Sequence, residues 1–155
     1  TGHALGLARL PESMRRIISA GPVARALDQC TLALRDPHRT TAWIVTLPEL
    51  LPVSETLELV EALQREGLPP PRVLVNRWPA DPFGGDEALR EAASAFFDTQ
   101  GPVSGSVAFG RLREALEARA RLPAALTAAT LPHIAGGEAR ALVDTLTPIL
   151  AEVAR

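Results

Sequence analysis

Two short apolar runs, "WIV" at 43–45 and "VLV" at 73–75, show no alternation of apolar and polar residues. Such a strand must be covered on both faces, which is the condition of a parallel sheet lying between helical layers. Pro48 closes the first run, and the triplet Pro69–Pro71 leads stiffly into the second. A third candidate strand lies around Leu126 to Leu131, within "ALTAATLPHIAGG".

Helical periodicity fills the intervals. Thr1, Gly2 and His3 read as the end of a polar loop, and Ala4 to Leu10 as two helical turns after it. Ser13 to about Leu34 is helical in spacing, with a break at Gly21-Pro22 and a stop at Asp36-Pro37. From Pro52 to Glu66, Leu57, Val60 and Leu63 face one way and Glu55, Glu58 and Glu61 the other, with Gly67 as the terminator. Asp86 is placed to cap a helix from Glu87 to about Asp98, and Ser106 to Leu122 forms the next. Glu138 to Arg155 closes the series, with Pro148 as a kink or early end.

The order helix, strand, helix, strand, helices, strand, helix predicts an α/β fold. It would be part of a doubly wound, mostly parallel sheet with helices on both faces. A mainly helical domain with apolar connectors is the competing reading. In parallel sheets ligands gather beyond the carboxyl ends of the strands, here "TLPE", "NRWPADPFGG" and "LPHIAGG".

The bulk numbers narrow the class. A chain of 155 residues suits one domain rather than two. A net charge of −2 gives no electrostatic footprint for nucleic acid, so no nucleic-acid partner is expected. The single cysteine, Cys30, excludes a disulfide framework and points to a reducing, cytoplasmic setting; on an apolar helix it reads as a small buried hydrophobe. No apolar run reaches the roughly 20 residues of a membrane span.

Several segments in order resemble the anion-transporting ATPases, the family of the arsenical pump-driving ATPase and the ATPase that targets tail-anchored proteins. Thr1-Gly2-His3 is similar to the end of that family's D-T-A-P-T-G-H switch II loop. Asp36-Pro37 with Thr40, then Pro48-Glu49, Glu55-Thr56 and Val75-Asn76 match its later segments, and Pro132, Glu138 and Arg140 fall in register with a final one.

The resemblance implies a P-loop NTPase fold lacking its N-terminal P-loop half, with residues 11–36 as a shortened helical insertion. It implies ATP and Mg²⁺ as cofactors of the complete protein, a homodimer, and a membrane-protein partner or client. Thr1, Gly2 and His3 would end switch II, while Asn76, Leu131, Pro132 and His133 would hold the nucleotide on its purine side. From the residues alone, Asn76 could equally cap the turn after its strand, and Thr1-Gly2-His3 could be a ragged end. His133 could line a pocket or stand in solvent. His38 reads as exposed. Arg111, Arg113, Arg119 and Arg121 read as surface pairs with Glu114 and Glu117.

Departures from the family pattern limit what carries over. The sequence holds no lysine and no glycine-rich loop ending in Lys-Ser/Thr, so by itself it is not expected to hydrolyse ATP. A non-catalytic interaction or regulatory module is therefore the rival reading. Met14 is the sole methionine, which argues against a methionine-rich client groove, and no C-x-x-C pair follows Asn76 to bridge a zinc dimer. A sheet lacking its other half is expected to expose apolar faces.

Overall fold

The structure, a computed structural model, describes residues 2–100, 102–134, 136 and 139–153. It contains α1 (Gly2–Ile17), α2 (Pro22–Arg35), β1 (Trp43–Thr46), α3 (Leu50–Arg65) and β2 (Arg72–Trp78), followed by α4 (Glu87–Gln100), α5 (Ser106–Arg121), β3 (Thr127–Pro132) and α6 (Ala139–Val153). The three strands form one sheet in the order β1-β2-β3, and both pairings are parallel. The fold is α/β, and the mainly helical alternative is excluded.

Register explains the two apolar runs. Ile44 stands beside Val73 and Thr46 beside Val75, and these four side chains project to one face. There they pack with Val53, Val60 and Leu63 of α3 and with Ala118 and Leu122 near the end of α5. Val73 and Val75 are 0% exposed. Each such side chain contributes about 1.5–3 kcal/mol by leaving water, as an upper bound. Arg72, alternate to Val73, points from the second face and donates from Nη1 to the Val153 carbonyl at 2.7 Å. The end of α6 therefore lies on that second face. The cover is partial, since Trp43 and Val45 at the β1 edge remain 41% and 61% exposed.

The buried stripe of α3 is Val53, Thr56, Val60 and Leu63, with Leu57 only half-buried. Thr56 can be buried because its hydroxyl donates back to the Pro52 carbonyl at 2.8 Å. Gly67 ends the helix with φ +75°, and Leu68 N–H returns to the Leu63 carbonyl at 3.1 Å. Asp86 caps α4 as expected, its Oδ1 accepting the Leu89 N–H at 3.2 Å.

Three expectations need correction. Gly2 and His3 lie in α1 rather than in a loop, and α1 runs on through Pro11. The break comes at Gly21-Pro22 as expected, with Gly21 at φ +97° ahead of Pro22 in the first turn of α2. Cys30 is exposed, because the only buried residue of α2 is Ala24 and the helix packs chiefly against α1. Helix α6 continues through Pro148 to Val153.

The α1–α2 pair carries its own ion pairs, Arg15 with Asp28 at 2.9 Å and Arg35 with Glu12. It is tied to the sheet layer by Leu5, which packs on the core, and by Arg9, whose Nε donates to Glu66 at 2.8 Å.

Candidate functional site at the carboxyl ends of the strands

Because all three strands run parallel, their carboxyl ends emerge on one side of the sheet. A cleft of about 520 Å³ opens there. Leu47, Pro48 and Glu49 reach it from the β1 exit, and Arg77, Pro79 and Ala80 from the β2 exit. His133 comes from the β3 exit, and Ala108, Arg111 and Glu114 from α5. The volume falls in the usual range for a small-molecule site, about 300–1,000 Å³.

Aromatic packing sets the position of the α5 wall. Phe109 meets Phe83 edge-on at 5.8 Å and lies tilted against Phe97 at 5.0 Å, so the loop after β2, α4 and α5 are joined. Asp81 shapes that loop by accepting the N–H groups of Phe83 and Gly85, each at 2.9 Å.

The β2 exit carries a local irregularity. Val75 pairs with Thr130 and Trp78 with Pro132, so Asn76 and Arg77 together stand opposite Leu131. This is a bulge, two residues against one, of a kind that redirects side chains at sheet ends. Arg77 adopts φ +57°, the only positive value among the described non-glycine residues. An L-residue in that left-handed conformation costs about 1–2 kcal/mol. Asn76 Oδ1 accepts the Arg77 N–H at 2.9 Å and so supports the kink.

The residues singled out in the sequence divide accordingly. Asn76 is half-buried at the end of β2, and Pro132 is exposed at the end of the adjacent β3. Their immediate neighbours Arg77 and His133, rather than they themselves, line the cleft. Leu131 is 6% exposed and belongs to the interior. His3 lies in α1, while Thr1 and Glu138 fall outside the described residues.

Other matched segments have plain structural work. Asp36 caps α2, its side chain accepts the His38 N–H at 2.9 Å, and Thr40 Oγ1 donates to the Ala33 carbonyl at 2.7 Å. His38 is exposed, as expected. Arg113 pairs with Asp98 and Arg121 with Glu117, whereas Arg111 faces the cleft. Arg77 and Arg111 were not foreseen as site residues. An arginine next to an asparagine at a strand end gives no warning of a left-handed backbone. Among the described residues no group of three or more His, Cys, Asp or Glu could hold a metal ion, and no helix is long and apolar enough to cross a membrane.

No family model matches this sequence, and no curated protein matches it either.

Proposed function

We propose that this chain supplies the purine-binding side of an ATP-dependent switch protein of the anion-transporting ATPase type. The observation that carries the reading is the cleft at the shared carboxyl end of β1, β2 and β3, bordered by the strand ends that bear Asn76 and Pro132. A parallel sheet with that opening is where nucleotides bind in doubly wound folds. Asn76 retains its amide N–H₂ donor and a second lone pair on Oδ1, the pairing a purine edge requires.

The residues fit the base better than the metal. Asn76 and the β3 exit at Pro132 and His133 would hold the purine; the described part of this chain offers no ligand cluster for Mg²⁺. The phosphate-gripping loop, its lysine and the magnesium ligands would belong to an N-terminal P-loop half of the same protein. That half would extend the sheet and complete the P-loop NTPase fold. The exposed Trp43 and Val45 at the β1 edge agree with such an addition. The switch would operate as a homodimer coupled to a membrane-protein partner or client.

A second reading has its own support. Asp36, Thr40 and Thr56, all within the matched segments, are engaged in capping and helix back-bonding that any stable fold would use. With no lysine in the sequence, a non-catalytic interaction module on the same fold accounts for those residues equally well.

Backbone NMR during titration with adenosine and with ATP separates the two. The nucleotide reading expects shifts at Asn76–Trp78 and at Leu131–His133. Shifts confined to α1 and α2, or none, would leave the interaction module.

A further inference from the structure

The bulge at Asn76-Arg77 places a cation at a position where glycine would be easier. Left-handed backbone at a non-glycine residue persists where the surroundings hold it, and such positions concentrate at ligand sites. Here the surroundings are Asn76 Oδ1 and the resumed pairing at Trp78. The kink turns Arg77 away from the ladder and into the cleft, where Arg111 of α5 and His133 also stand.

Those two arginines, from β2 and α5, are the ones that line this cleft. The ion pairs among the described residues use Arg9, Arg15, Arg35, Arg113, Arg121 and Arg140, and leave Arg77 and Arg111 out. Two guanidinium groups with no ion pair among the described residues, on separate elements, line one concave surface.

Glu49 and Glu114 line the same cleft, so the formal charges of its two arginines and two glutamates balance. A polyanion therefore gains little from the overall field. Recognition falls to directed hydrogen bonds, and the planar guanidinium fork matches a compact oxyanion with two acceptor oxygens. We propose that Arg77 and Arg111, with His133 as a third donor, form an oxyanion site that takes a phosphate-type group.

This site rests on the arginine geometry and does not require the purine reading. If both hold, the base and the anion occupy different parts of one cleft.

The test uses the 155-residue chain with inorganic phosphate, adenosine and ATP titrated separately by calorimetry and NMR. Arg77→Gly keeps the left-handed backbone and removes the cation; Arg111→Gln removes the second cation from a helix surface. Phosphate affinity is expected to fall roughly tenfold in each variant, the scale of one charge-assisted hydrogen bond. Arg77→Gly is expected to unfold at the same temperature as the wild type or higher, because the strained residue is gone. Arg25→Gln, on α2 and outside the cleft lining, controls for net charge and should leave phosphate affinity unchanged.

Phosphate binding that ignores both substitutions overturns the proposal, as does no phosphate binding by the wild type. Adenosine binding without phosphate binding removes the oxyanion site and leaves the purine reading standing. Phosphate binding without adenosine binding, sensitive to both arginines, supports the site and counts against the purine reading. An effect on free phosphate equal to that on ATP identifies the phosphate group as the element recognised.

Discussion

The backbone N–H of His133 donates to the carbonyl of Trp78 at 2.8 Å, one residue beyond the last paired position of β3. That bond carries the β2–β3 ladder past the bulge at Asn76 and Arg77. The two strand exits therefore leave the sheet as one unit, with a redirected arginine on one and a histidine on the other. Both of those residues line the cleft.

Among the described glycines, Gly67 is the one where an added Cβ would meet the nearest neighbour. Its φ is +75°, and a Cβ there would lie 3.3 Å from Arg35 Nε. The arginine can swing aside, so the backbone conformation dominates the cost. Gly67→Ala should lower stability by about 1 kcal/mol. Urea denaturation would show a reduced midpoint with an unchanged slope; an unchanged midpoint would mean that α3 ends in some other way.

Cys30 offers a check on the α1–α2 pair. Its thiol is exposed on α2. A disulfide reagent should label it in the native protein at a rate close to that of the unfolded chain. Strong native protection would place α2 against a surface other than α1.

The link between α1 and the end of α3 should be visible in acid. A hydrogen bond from Arg9 holds the Glu66 carboxyl below its ordinary range, against the opposing pull of burial. The same bond raises Arg9 above its ordinary value. A depressed carboxyl contributes stability above its unfolded pKa and loses it as pH falls through the folded value. On acidification below the usual carboxylate range, the wild type should lose slightly more stability than Glu66→Gln, and added salt should shrink the difference. Superimposable acid limbs for the two proteins would show that the pair contributes nothing in solution.

Much of the fold was legible because apolar spacing survives packing. The unalternating run "VLV" marks a strand covered on both faces, and β2 is one; "WIV" promised the same, but β1 buries only Ile44 and Thr46 and leaves Trp43 and Val45 exposed. Gly67, Asp86 and the Gly21-Pro22 break were readable because their backbone chemistry is local. Cys30 misled because an apolar helix does not reveal which of its faces finds a partner. At the site, the strand ends could be placed from the sequence, and Asn76 with them. Arg77 could not, since a bulge depends on how β2 and β3 align across the sheet, which no single strand encodes.

The central claim is that the carboxyl ends of β2 and β3 bind a purine nucleotide through Asn76. Titration of ATP into the protein with and without Asn76→Ala tests it most directly. Loss of a bidentate amide should weaken binding by about tenfold, with circular dichroism unchanged. Equal affinity in the two proteins, or no binding in either, would contradict it.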